Sequence, residues 1–125
     1  MLDARKQEVY VALFRWANGT LARLSDDGVM SVQNAVALIQ DERQDTFCTA
    51  IGDGAHVYRH VLLHSLGPHL RIATDAGHST VAYRVAQLAR ARFAAVAGAD
   101  LGRLVPLYLR PSEAQSKRKF SALTY

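Results

Sequence analysis

From Glu8 to Trp16 most positions are apolar or aromatic, with Val9, Val11 and Leu13 alternating against Tyr10, Ala12, Phe14 and Trp16. Valine and aromatic residues suit a pleated surface, so the segment predicts a strand. Asn18-Gly19 follows. Both positions of a type I′ turn need positive φ, which this pair adopts readily, and Thr20 to Leu24 then returns as the second arm of a hairpin. Because both faces of the first arm are apolar, the pattern predicts a strand covered on both sides, with helices flanking the sheet.

The spacing then changes to the helical period. Ser31 stands as an N-cap before Val32, Ala35, Val36 and Ile39, which share one helix face, and the charged stretch Asp41 to Asp45 ends that helix. Phe47 to Ile51 reads as a buried strand, and Gly52-Asp53-Gly54 as a sharp turn. A second helix is predicted from about His56 to Leu66, with Tyr58, Val61, Leu62 and Leu66 inward, stopped by Gly67-Pro68. Leu70 to Ala73 reads as a short extended segment. The longest helix is predicted from the cap Ser79 to Gly98, burying Val81, Val85, Leu88, Ala89 and Val96, and Val105 to Leu109 as a last extended piece. A hairpin leading into alternating helices and strands predicts an α/β domain with a mixed sheet flanked by helices.

The chain has 125 residues, half of them hydrophobic, enough for one domain with its own core. No apolar run is long enough to span a bilayer, and the N-terminus lacks the basic and apolar regions of a secretory signal. Cys48 is the sole cysteine, so no internal disulfide forms; within its apolar run it reads as a buried, inert thiol, as suits a reducing cytoplasm. The net charge of +4 draws on Arg84, Arg90, Arg92 and the tail Lys117, Arg118, Lys119. This excess permits contact with nucleic acid, but it reads first as solvated helix faces and a basic tail.

Four short segments carry a resemblance: Asp3-Ala4-Arg5 with Glu8-Val9-Tyr10, then Gly52-Asp53-Gly54-Ala55 with Tyr58 following, and Tyr108-Leu109-Arg110-Pro111-Ser112-Glu113-Ala114. In this order they resemble the C-terminal half of the bacterial TsaB family, also called YeaZ and glycoprotease-like. The resemblance implies one lobe of the ribonuclease H-like fold of actin-like ATPases, spanning 1–115, with 116–125 a basic tail. The family's N-terminal lobe, which opens on an Ile-Asp-Thr type motif, is expected to be absent. The implied function is that of a non-catalytic, cytoplasmic scaffold. It would support TsaD, with the ATPase TsaE, in transferring a threonylcarbamoyl group to adenosine in tRNA, which it would meet indirectly. No cofactor is implied for this lobe alone, ATP or ADP belonging to the two-lobed protein. A surface that normally meets the other lobe would be apolar and could pair two copies of the chain.

Several residues invite chemistry. Gly52, Asp53 and Gly54 stand between a strand and a helix, where a phosphate can be cradled; this supports an alternative reading as the nucleotide-binding lobe of an actin-like ATPase or kinase. The competing reading is a tight turn whose Asp53 favours the positive helix end. His56, His60 and His64 recur every fourth residue, a spacing that can hold zinc, but no Glu supplies a peptidase base, and they read as solvent-facing histidines that bind metal only adventitiously. Asp75, His78 and Ser79 are too close in sequence for a hydrolytic triad. Asp3, Glu8 and Asp53 are wrongly placed for a nuclease magnesium cluster. Arg110 and Glu113 are candidates for contact with a partner, while Tyr108 and Leu109 are expected to dock on the core.

Overall fold

The computed structural model describes residues 1–43, 46–74, 81–95 and 105–110, and within 81–95 the side chains of 82, 83 and 85–90. These residues form two compact units, one made of 1–74 with Leu109 and Arg110, the other of 81–95 with 105–108. The architecture is mixed α/β, but the described strands fall into three separate sheets rather than the one mixed sheet expected.

In the first unit, β1 (Leu2–Asp3) pairs antiparallel with β2 (Glu8–Val11). Strand β3 (Phe14–Ala17) and β4 (Thr20–Arg23) form a separate ribbon, joined by Asn18-Gly19 with φ of 50° and 76°, as the type I′ reading requires. Strand β5 (Gly28–Ser31) returns antiparallel to β2, giving a sheet ordered β1-β2-β5. The single first arm expected over Glu8–Trp16 is therefore two strands in two sheets. The chain leaves the first at Leu13, whose N–H donates to Ser25 Oγ at 2.9 Å while its carbonyl accepts from Leu24 N at 2.9 Å.

Helix α1 (Val32–Arg43) begins where Ser31 predicts, with Asn34 N–H donating to Ser31 Oγ at 3.2 Å, and it buries Val32, Ala35, Val36 and Ile39. Strand β6 (Cys48–Ala50) follows and pairs in parallel with β7 (Leu70–Ile72). The crossover between them carries α2 (Asp53–Val57), α3 (Arg59–Leu66) and a single 3₁₀ turn at Gly67–His69. One expected helix is thus two, broken at Tyr58 with φ −102° and ψ 21°. A bond of 2.7 Å from the Met1 amine to the Ile51 carbonyl joins β1 to the end of β6.

The core lies on one side of this sheet system. Val9 and Val11 of β2 meet the α1 face, Ala55 of α2, Leu62 and Leu66 of α3, and Leu70 of β7. Half-buried Met30, Cys48, Ala50 and Ile72 line the same side. The expectation of cover on both faces fails for the ribbon. Trp16 is 70% exposed and Phe14 45%, because both lie beyond the point where the chain leaves the β2 sheet. Nor is Phe47–Ile51 a buried strand. Its ends, Phe47 and Ile51, are exposed, and only the half-buried Cys48 and Ala50 face the core. Val61, expected inward, is exposed because the helix break sets Leu62 and Leu66 as the buried positions of α3.

In the second unit, α4 (Val81–Ala95) forms within the predicted range. Val85 and Leu88 are exposed rather than buried, since nothing among the described residues of this unit covers them; Ala89 is half-buried. Residues 105–108 belong to no helix or strand and are exposed, so Tyr108 does not dock on a core, whereas Leu109 is half-buried in the first unit. Ser79, Val96, Gly98, Glu113, the Asp75-His78-Ser79 group and the tail lie outside the described residues. No helix among the described residues is long and apolar enough to cross a membrane.

Candidate functional site

The connection from β1 to β2 has an unusual backbone. Arg5, Lys6 and Gln7 all take positive φ, at 62°, 52° and 61°, forming a left-handed turn of three non-glycine residues. Each such residue costs roughly 1–2 kcal/mol because Cβ crowds the following carbonyl. The turn persists because its ends are tied: Ala4 N–H donates to the Glu8 carbonyl at 3.0 Å, Glu8 N–H to the Arg5 carbonyl at 2.9 Å, and Val32 N–H to the Gln7 carbonyl at 3.2 Å.

Side chains hold it from below. The Asp3 carboxylate accepts from Arg5 N–H at 2.9 Å and pairs with the Arg5 guanidinium at 3.3 Å. Tyr58, placed at the break between α2 and α3, donates its hydroxyl to Asp3 Oδ1 at 3.3 Å and accepts from Gln7 N–H. Tyr58 is half-buried. Burial, then the charge of Asp3 and its acceptance of the phenolic proton, raise the Tyr58 pKa above the ordinary tyrosine value, against the opposing Gln7 bond. From the far end of the chain, Arg110 pairs with the Glu8 carboxylate and donates to the Ala4 carbonyl at 3.0 Å.

The glycine turn abuts the same place. Gly52 has φ of 105°, and a Cβ there would stand 2.2 Å from the Met1 carbonyl oxygen. One on Gly54 would meet the backbone of Leu2 and Asp3 at 2.7–3.0 Å. Asp53 Oδ1 accepts from Asp3 N–H at 3.2 Å and from Gly54 N–H at 2.8 Å. Close passage of β1 therefore accounts for both glycines, and Asp53 serves that passage as well as the start of α2. Burial pushes the Met1 amine below its ordinary pKa, and the Asp53 charge partly restores it.

Asp3, Glu8, Asp53 and Arg110 thus meet at one site with Tyr58, although Asp3 and Tyr58 stand 55 positions apart and Arg110 lies 106 beyond Ala4. Asp3 was weighed only as a magnesium ligand and Tyr58 only as an inward helix residue, so their bond to each other was missed. The signal for them was present in the segments that carry the family resemblance, but nothing in the sequence showed those segments meeting. Glu113 lies outside the described residues. The three histidines do not share one face. His56 is half-buried on α2, while His60 and His64 are exposed on α3 and line a shallow hollow with Val61 and Ser65. Among the described residues, no group of three or more His, Cys, Asp or Glu side chains could hold a metal ion.

Comparison with known proteins finds a similarity to set beside this geometry. The chain is 30% identical over 118 residues to the tRNA threonylcarbamoyladenosine biosynthesis protein TsaB of Bacillus subtilis (strain 168). The match covers 94% of this chain and 48% of the relative, so the chain spans about half the length of the curated relative it matches. No family model matches the chain. No solved structure matches it either.

Proposed function

We propose that this chain is the second lobe of a TsaB-type protein and acts as a non-catalytic scaffold in tRNA threonylcarbamoyladenosine biosynthesis, supporting TsaD in an active complex that includes TsaE. The observation that carries the reading is the convergence of Asp3, Glu8, Asp53, Tyr58 and Arg110, drawn from the resembling segments, on one tied site, over a chain similar to TsaB along 94% of its length. Residues that match a family in four separated places yet meet in space form one unit. An antiparallel β1-β2-β5 sheet and a separate parallel β6-β7 pair, linked by the Met1–Ile51 bond, are compatible with a ribonuclease H-like lobe.

The bonding at the site favours a scaffold over an enzyme. The Asp3 and Asp53 carboxylates accept from the chain's own N–H and hydroxyl groups, and Glu8 is paired with Arg110. Such groups fix backbone. What they present outward is a shaped, charged turn, with the Arg5 side chain 87% exposed. A surface of that kind suits recognition by another subunit.

Calorimetric titration of the chain into TsaD, with the Bacillus subtilis TsaB as positive control, tests this. Saturable binding that Arg110→Glu weakens is the expected result. Absence of heat, with the control intact, overturns the assignment of a TsaD contact to this lobe.

A further inference from the structure

The tip of the β3–β4 ribbon carries a reactive pair that takes no part in the site above. Asn18 and Gly19 are both exposed, with φ of 50° and 76°. Among the described residues, no hydrogen bond engages the Asn18 side-chain amide or the Gly19 N–H. A Cβ built on Gly19 would meet nothing within 4 Å, so water reaches this backbone from outside. An asparagine amide followed by a glycine N–H sets an electrophilic carbon beside an unhindered nitrogen, and asparagine is thermolabile for this reason.

The turn must open for the two to react, because ring closure draws the Gly19 nitrogen onto Asn18 Cγ and takes Asn18 out of the left-handed region. Little opposes that opening. The tip is closed by the pairing of Ala17 with Thr20 and by the Thr20 hydroxyl, which donates to the Ala17 carbonyl at 3.0 Å. Strand β4 is exposed throughout and β3 is half-buried only at Ala17, and segments with so few buried contacts open locally at small cost. Farther back the ribbon is held, by Leu13 N–H on Ser25 Oγ and by Arg15 Nη2 on the Glu42 carbonyl, so the opening stays at the tip. Asn34, the chain's other asparagine, is the contrasting case. It lies within α1, its N–H donates to Ser31 Oγ at 3.2 Å, and the Ala35 that follows it is fully buried.

We propose that Asn18 is a site of spontaneous deamidation that slowly and irreversibly alters the ribbon. The Gly19 nitrogen gives up its proton and bonds to Asn18 Cγ; the bond from Cγ to the side-chain nitrogen breaks, and ammonia leaves with that proton. The cyclic imide then takes up one water. Opening at Cγ yields an aspartate, and opening at the main-chain carbonyl yields an isoaspartate. One water is consumed and one ammonia released, with no oxidant or enzyme. Both products place a carboxylate at the tip. The aspartyl form keeps the ribbon, since Asp-Gly also suits a type I′ turn. The isoaspartyl form lengthens the main chain by a methylene inside a two-residue loop whose length sets the register, so the pairing of Phe14–Ala17 with Thr20–Arg23 loosens.

The test incubates the whole chain, folded, at mildly alkaline pH beside a peptide of residues 13–24 as an unstructured control. Ion exchange is expected to resolve a growing species with one added negative charge, and peptide mass mapping to place the change at Asn18 and not at Asn34. Asn18→Gly, which keeps a turn of type I′ and removes the amide, is expected to lose that species. An unchanged Asn18 after the control peptide has fully converted, equal conversion at Asn34, or the same species from Asn18→Gly overturns the site. Amide exchange across residues 14–23 is expected to quicken in the isoaspartyl fraction and not in Asn18→Asp. Equal exchange in the two overturns the loosening of the ribbon.

Discussion

Gly54→Ala has a sign that depends on why the glycine is there. Gly54 lies in the first turn of α2, where alanine is intrinsically favoured by up to about 1 kcal/mol. With free space above it, or space reserved for a phosphate, the substitution would stabilise the fold. The structure puts the carbonyl carbon of Leu2 at 2.7 Å and the Asp3 nitrogen at 2.9 Å from the new Cβ, and both are backbone. Strand β1 must then shift, loosening the Met1–Ile51 bond and the Asp3–Asp53 bond. At about 1 kcal/mol for each of the two, with further loss of β1–β2 pairing, the strand's displacement outweighs the helix gain. The net effect is a loss of about 1–2 kcal/mol, a fall in urea midpoint of roughly 0.5–1 M for a typical small-domain slope. Two neighbours bracket it. Gly19→Ala meets nothing within 4 Å and carries only the strain of φ 76°, about 1 kcal/mol. Gly52→Ala combines φ of 105° with a 2.2 Å approach and must cost the most of the three. Urea unfolding of the three variants, followed by circular dichroism, gives the order. A rise in midpoint for Gly54→Ala, or a Gly52→Ala no worse than Gly19→Ala, refutes the role assigned to β1.

Other outcomes follow from the same contacts. The raised Tyr58 pKa means that the native state holds the phenolic proton more tightly than the unfolded chain; its stabilisation is complete below about pH 10 and is lost as pH rises through the native value. Urea midpoints measured across the alkaline range should fall for the unsubstituted chain and fall less for Tyr58→Phe. Arg110→Ala removes the pair with Glu8 and the bond to Ala4; since both side chains are about one-third exposed, the loss is about 1 kcal/mol, and a double-mutant cycle with Glu8→Gln should return about half of it as coupling. Burial raises the Cys48 pKa, with the Arg43 charge opposing, so a disulfide exchange reagent at mildly alkaline pH should react slowly with the folded chain and rapidly in urea. Leu62 is fully buried among α1, α3 and β2 side chains, and Leu62→Ala should cost about 3 kcal/mol in urea unfolding.

Legibility followed the range of the interactions. Asn18-Gly19 and the Ser31 cap act within four residues, and both elements formed as the sequence predicts. Strands β1 and β5 were not legible, because Leu2–Asp3 is too short for a pattern and Gly28–Ser31 owes its extension to β2. The break at Tyr58 was hidden because apolar positions run on at helical spacing through it, and it owes nothing to proline or glycine. Trp16 misled the reading for a related reason. Its apolar character marks a strand, but only the departure of the chain at Leu13 decides whether anything covers it. The site was legible as separate segments and not as a place, since its bonds span 50 to 106 positions.

That span also explains why the site is built as it is. A left-handed turn of Arg5, Lys6 and Gln7 carries about 3–6 kcal/mol of local strain if each residue contributes its usual cost. Glycines in the turn would remove most of that strain, and the chain does use glycines at Gly52 and Gly54, where close approach of Met1, Leu2 and Asp3 demands them. The ties from Asp3, Tyr58 and Arg110 offset the conformational cost of side chains at the turn. Residual strain of this order belongs where the side chains outside the turn have a use. Arg5 points 87% into solvent from a backbone that Asp3 fixes at both its N–H and its guanidinium. A rigid backbone under an exposed cation lowers the ordering cost of binding a partner.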